Sequence, residues 1–219
     1  MNPMRVPTGI EGLDFILRGG LLPGRVYLVH GEPGSGKTML GLHFVSAAEG
    51  GLLITFMQPA ENIRADAASL GLNMDRVKIL DLSPPAEVFS EIQTYDIFSP
   101  AEVEREPISL QISEAISEFQ PHRIFVDGFG QFRSLATDPF HHRRLAQSFF
   151  RFATQRGATM IVGSEDRECA RDVDGVIELQ STHEGRGIRV TKFRGSDFHP
   201  GHYPMRLTGS GLQVPLSAA

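Results

Sequence analysis

The chain has 219 residues, 41% of them hydrophobic and 21% charged, which is the composition of a folded domain rather than a disordered segment. Its formal net charge of −5 argues against a general nucleic-acid binder held by bulk positive charge. The lone cysteine, Cys169, excludes an internal disulfide framework and a cysteine-rich zinc site.

The elements follow in chain order. Met1 to Gly12 lacks a basic region followed by an apolar core, and no apolar run approaches the roughly 20 residues of a membrane span. The expectation is a cytoplasmic protein with no membrane partner. Val26–His30 reads as a buried strand, followed by Gly31–Gly36 and a helix from Lys37 to about Ala48, stopped by Gly50-Gly51. Leu52–Phe56 reads as the next strand, 60–70 as a helix closed by Gly71, and Val77–Leu82 as a third strand. The stretch from Pro84 to Pro107 reads as mostly loop. Ile108, Ile112, Ala115, Ile116 and Phe119 recur at helical spacing. Ile124–Asp127 is a predicted strand. Asp138-Pro139 pairs an N-cap with proline at the first helical position, opening a helix to about Arg156. Thr159–Val162 is another predicted strand. After it, Gly175–Leu179, Ile188–Phe193, Tyr203–Leu207 and Leu212–Val214 read as short strands with Gly-rich turns. Strand–helix repeats imply a mostly parallel α/β sheet with right-handed crossovers. The β-only tail implies antiparallel strands extending one edge. No linker or low-complexity tract interrupts 1–219, which reads as a single domain.

Gly31-Glu32-Pro33-Gly34-Ser35-Gly36-Lys37-Thr38 matches G-x-x-x-x-G-K-[ST], between a predicted strand and a predicted helix. Glycines let backbone N–H groups turn inward around phosphate oxygens, and the helix start adds unpaired N–H groups and a positive dipole end. Glu32, Pro33, Gly34, Ser35, Gly36, Lys37, Thr38 and Met39 are the expected nucleotide contacts. The Lys37 ammonium is expected at the β/γ-phosphates and the Thr38 hydroxyl on Mg²⁺. Arg123-Ile124-Phe125-Val126-Asp127 is an apolar strand ending in an aspartate, the residue expected to orient Mg²⁺.

Further residues carry a family likeness. Thr8-Gly9-Ile10-Glu11-Gly12-Leu13-Asp14, then Gly19-Gly20-Leu21 and Gly24, precede the phosphate loop. Leu53-Ile54-Thr55-Phe56 is followed by Glu61-Asn62-Ile63-Arg64. Gly157-Ala158-Thr159 opens a late strand, and Lys192-Phe193-Arg194-Gly195 is followed by Gly201-His202-Tyr203-Pro204. This series resembles the KaiC-like branch of RecA-type ATPases over nearly the whole chain, as one domain of that type. The resemblance implies a RecA-like sheet, ATP and Mg²⁺ bound between subunits, and usually a hexameric ring. It also implies that Lys192 and Arg194 enter the neighbouring subunit's nucleotide site. Two residues apart on a strand, they would point to one face.

The departures are informative. The family's second strand usually ends Thr-Phe-Glu-Glu, and those carboxylates activate the attacking water. Here the sequence is Thr55-Phe56-Met57-Gln58. Methionine accepts no proton, and glutamine orients water but is a negligible base. Gln58 is therefore the expected catalytic position beside Lys37 and Asp127, with Glu61 or Glu32 as alternative carriers of the base. Cys169-Ala170-Arg171-Asp172 has no hydroxyl where one branch of the family carries phosphoacceptors. The expectation is a slow, nucleotide-dependent oligomeric switch in signalling, with a protein partner and little affinity for nucleic acid. The alternative is a RadA-like recombination ATPase, which needs basic DNA-facing loops, whereas Gly128 to Thr137 contains only Arg133. Asp197, His199 and His202 form a weak metal pattern. His141-His142-Arg143-Arg144 reads as a solvated face, and Phe149, Phe150 and Phe152 read as core and interface residues.

Overall fold

A computed structural model describes residues 4–85, 100–183 and 185–216. Its helices are α1 (Glu11–Ile16), α2 (Lys37–Ser46), α3 (Ala60–Ser69), α4 (Pro100–Phe119) and α5 (Pro139–Thr154). Its strands are β1 (Val26–His30), β2 (Gly51–Thr55), β3 (Val77–Asp81), β4 (Arg123–Asp127), β5 (Thr159–Ser164), β6 (Gly175–Thr182), β7 (Gly185–Phe193), β8 (Tyr203–Thr208) and β9 (Gly211–Gln213). They form one sheet in the order β3-β2-β4-β5-β1-β6-β7-β8-β9. β3 through β6 run parallel in that order, and β7, β8 and β9 add antiparallel at the edge. This is the α/β architecture expected of a RecA-like fold, with the antiparallel extension where the Gly-rich tail placed it.

The sheet is covered on both faces, so its central strands are apolar throughout. Alternation along each strand divides the side chains between two cores. Tyr27, Val29, Leu53, Phe125 and Ile161 join the core under α1, α2 and α3. Val26, Leu28, Ile54, Val126 and Val162 join the core under α4 and α5, with Phe149 and Phe150. Gly41 brings α2 close onto the sheet: a Cβ there would lie 2.1 Å from the Phe125 ring.

Two segments differ from the sequence expectation. Pro107 was expected to bound a loop, yet α4 begins at Pro100 and runs through it. Pro107 stands about two turns into the helix, where a proline costs one backbone hydrogen bond and crowds the preceding turn, and strong helix formers on both sides carry the helix past it. The rest of that predicted loop, 86–99, lies outside the described residues. A short 3-10 helix, Phe129–Leu135, follows β4, where hydrophobic periodicity is too brief to register; it buries Phe129, Phe132 and Leu135.

Candidate nucleotide site

In open α/β sheets, ligands bind beyond the carboxyl ends of parallel strands. Register sets which residues meet there. His30 pairs with Ser164, and Thr55 pairs with Asp127. The ends of β1, β5, β4 and β2 therefore stand in a row, carrying the phosphate loop, Glu165, Asp127 and Met57-Gln58.

The loop from Gly31 to Gly36 turns through two left-handed residues, Gly34 (φ 74°) and Gly36 (φ 106°). The second is the N-cap of α2, so the helix starts without a side-chain cap and its first N–H groups face the loop. Gly31 has no room for a side chain: a Cβ would lie 2.5 Å from Ser35 Oγ and 2.7 Å from the Leu179 carbonyl. Ser35 Oγ itself is buried and has no hydrogen-bond partner among the described residues, so its hydroxyl is free to donate to a phosphate oxygen. Lys37 Nζ donates to the Gly31 and Glu32 carbonyls at 2.7 and 2.9 Å, holding the ammonium inside the loop it would share with phosphate. Burial lowers its pKa, and the charges of Glu165 and Asp127 oppose that shift.

Thr38 Oγ1 donates to the Asp127 carboxylate, 3.2 and 3.0 Å from its two oxygens. Asp127 is only 4% exposed, and burial raises its pKa against the opposing pull of Thr38 and Lys37. A divalent cation between the two would restore full charge to that carboxylate. The chemistry fits Mg²⁺, which takes one or two protein oxygens and keeps water and phosphate for the rest. Among the described residues no cluster of three His, Cys, Asp or Glu forms a more crowded metal site.

Two cavities flank the loop. One of about 300 Å³ runs from Gly34–Met39 to an apolar wall of Met205, Leu207 and Leu212, with Arg186 at its edge. The other, about 610 Å³, is lined by Lys37, Thr38, Met57, Gln58, Asp127 and Glu165, among others. Gln58 borders both. Its turn is fixed by Thr55 Oγ1, which donates to the Gln58 carbonyl at 3.0 Å and accepts the Gln58 N–H at 3.1 Å. Met57 leans on Gly128, whose missing Cβ would lie 2.3 Å from Met57 Cγ.

Most of the sequence-derived positions meet here: Pro33, Gly34, Ser35, Gly36, Lys37, Thr38, Met39, Gln58 and Asp127 all line one cavity or both. Glu32 contributes its backbone carbonyl and also lines a separate cleft with His30, Arg167 and Glu178. Lys192 and Arg194 line neither cavity. β7 ends at Phe193, between the pair: Arg194 lies just past the strand, its N–H donating to the Asp174 carbonyl, and the chain then turns through Gly195 (φ 76°). Lys192 Nζ is held by the carbonyls of Ala170 (2.8 Å) and Val173 (2.7 Å), whereas Arg194 is exposed. Asp197, His199 and His202 go to three different partners: Arg18, the Phe15 ring and Arg189. Cys169 is buried, and burial pushes its thiol up to about 12.

Sequence reasoning missed Glu165 and Asp166. The predicted strand stops at Val162, two residues short of the observed end at Ser164, so the two carboxylates do not read as following a strand end as Asp127 does.

Comparison with known proteins accords with this geometry. A family model described as "ATPase: KaiC" matches residues 6–218. The chain is 30% identical over 234 residues to the circadian clock protein KaiC2 of Synechocystis sp., covering 98% of this chain and 40% of that protein. It is 29% identical to the circadian clock oscillator protein KaiC of Synechococcus elongatus, over 98% of this chain and 45% of the relative. It is 27% identical to the protein of the same name from Parasynechococcus marenigrum, over 100% and 46%. The chain thus spans less than half the length of these relatives.

Proposed function

The chain belongs to the KaiC family of ATPases, and from that premise we propose that it binds ATP with Mg²⁺ and serves as an oligomeric, slowly hydrolysing switch. The observation that carries this reading is an intact phosphate grip beside a β2 end that lacks both carboxylates, at Met57 and Gln58.

The residues divide the work as follows. Backbone N–H groups of 34–38 take the phosphate oxygens, and Lys37 leaves its two carbonyls for the β/γ-phosphates. Thr38 and Asp127 hold Mg²⁺, which supplies charge neutralisation on the phosphates. The apolar wall of Met205, Leu207 and Leu212 suits the face of a base. Gln58 hydrogen-bonds a water without accepting its proton, so turnover is slow and the ATP-bound state is long-lived. The exposed Arg194 is available to a neighbouring subunit's site, and the ATP-loaded ring is the form that meets a signalling partner. A DNA-recombination role gains no support, because the segment after β4 buries its phenylalanines in its own core rather than offering a basic loop.

Thermal melting with and without Mg²⁺·ATP tests the reading. A ligand of the folded state raises the Tm by mass action. We expect a clear rise for the wild type and little for Lys37→Ala, which removes the fixed cation of the loop. Equal shifts in both proteins would rule out this site. A pull-down with ATP-loaded wild type against Lys37→Ala would then identify the protein partner.

A further inference from the structure

The slow turnover proposed above leaves one chemical question: which group takes the proton of the attacking water. Three carboxylates line the larger cavity: Asp127, Glu165 and Asp166. Asp127 is engaged with the Thr38 hydroxyl and is assigned to the metal. Asp166 accepts the Glu168 N–H at 3.0 Å, a bond that engages its carboxylate in the turn ahead of the short 3-10 helix Glu168–Arg171. Glu165 differs from both. It is exposed at the cavity mouth, its carboxylate makes no hydrogen bond among the described residues, and its charge acts on Lys37. The alternatives visible in sequence do not reach this space. Neither Glu61, on α3, nor Glu32 lines either cavity, and Glu32 borders a separate cleft instead.

The position of Glu165 is also built, not incidental. β5 pairs with β1 up to Ser164 against His30, and Gly31 N–H donates to the Ser164 carbonyl. The residue after Ser164 therefore stands level with the first turn of the phosphate loop. Ser164 Oγ accepts the Asp166 N–H at 3.3 Å and shapes the turn that carries Glu165. In the sheet, β5 is adjacent to β1, while β2 lies three strands from it.

We propose that Glu165 is the proton acceptor for ATP hydrolysis in this chain, acting from the β5 end in place of the carboxylates missing at the β2 end. This rests on the proposed ATP site. The water oxygen forms a bond to the γ-phosphorus. The bond from that phosphorus to the β–γ bridging oxygen breaks, and ADP leaves with the electron pair. The water proton passes to the Glu165 carboxylate, which later releases it to solvent, while Gln58 orients the water. An acceptor on an exposed turn is less preorganised than one fixed at a strand end, which agrees with slow turnover.

A free carboxylate beside Lys37 also repels a triphosphate. Removing its charge should therefore slow hydrolysis while leaving ATP affinity unchanged or tighter, a combination that mere structural damage does not produce. The test is single-turnover phosphate release, with ATP affinity measured in parallel, on wild type, Glu165→Gln and Glu165→Gln/Gln58→Glu. General-base assistance is worth roughly 10²–10⁴ in rate. We expect Glu165→Gln to lose at least about tenfold in rate with affinity retained, and the double variant to regain rate, because a carboxylate returns at the β2 end. Unchanged release in Glu165→Gln would overturn the proposal, as would a parallel loss of affinity or no measurable turnover in the wild type. A wild type that binds no ATP would instead overturn the nucleotide site itself, and Glu165's role with it.

Discussion

At the scale of single residues, Gln58 is the sharpest departure and the most informative substitution. It is nearly isosteric with glutamate, and its turn is pinned through backbone atoms by Thr55, so Gln58→Glu leaves that turn intact. We expect single-turnover hydrolysis to rise by at least about tenfold, a cautious fraction of the range for general-base catalysis. Met57→Glu should help less, because Met57 leans over Gly128 and borders only the larger cavity. A wild type as fast as Gln58→Glu would remove the basis for slow turnover. His43 offers a test of a different kind. Its Nε2 accepts the Leu212 N–H at 2.8 Å, so the imidazole must be neutral in the folded state, and burial lowers its pKa. The unfolded chain takes that proton first, near the ordinary pKa of about 6.5. The stabilising bond is therefore fully present above that pH and is lost as pH falls through the folded pKa. Denaturant melts between pH 7.5 and 5 should show stability falling with pH. His43→Ala should flatten part of that slope and cost roughly 1–3 kcal/mol at pH 7.5, since Leu212 N–H loses its acceptor. A slope identical to the wild type would show that His43 does not titrate in this range.

At the scale of elements, the sequence made the strands and the phosphate loop plain for a physical reason. β1, β2, β4 and β5 are buried on both faces, so each reads as an unbroken apolar run, and the loop needs glycine where its backbone turns left-handed. Short elements were hidden. Glu11–Ile16 and the two 3-10 helices are too brief for a hydrophobic period, and Pro107 signals a boundary that α4 crosses. Glu165 was hidden because its role depends on β5 lying beside β1, a long-range pairing that local pattern does not encode. The same limit applies to Lys192 and Arg194. Spacing alone made them equivalent, yet Lys192 ties the end of β7 to the carbonyls of Ala170 and Val173, while Arg194 stands exposed beyond the strand. Lys192→Met should therefore lower the nucleotide-free Tm, by an amount equivalent to roughly 1–3 kcal/mol for carbonyls left without their donor. Arg194→Ala should leave that Tm within about 0.5 kcal/mol of the wild type, as for other exposed substitutions. Equal losses in the two variants would mean that both belong to the subunit's own fold.

At the scale of the whole molecule, the charge around the proposed nucleotide site bears on assembly. Its larger cavity is bounded by strand ends and loops, and among the described residues Lys37 is the one cation that lines it, with Arg186 on the smaller cavity beside it. A bound triphosphate carries more negative charge than one ammonium and one divalent cation offset, so a guanidinium from a second copy would stabilise it. Such a contact makes ATP occupancy and assembly two readings of one coupling free energy: ATP favours the assembled form, and assembly tightens ATP by the same factor. Arg194 has the required chemistry and exposure, whereas Lys192 would first have to leave its own carbonyls. The relatives are named as clock proteins more than twice the length of this chain, so ring size here is to be measured on the chain itself. Light scattering at fixed protein concentration should report larger particles as Mg²⁺·ATP is added. Arg194→Ala should shift that transition to higher ATP and higher protein concentration while its nucleotide-free Tm stays at the wild-type value. A typical coupling of 1–3 kcal/mol corresponds to a shift of roughly 5–150-fold. Wild-type particles that stay monomeric at every ATP concentration would break the link between occupancy and assembly, and with it the proposed oligomeric switch.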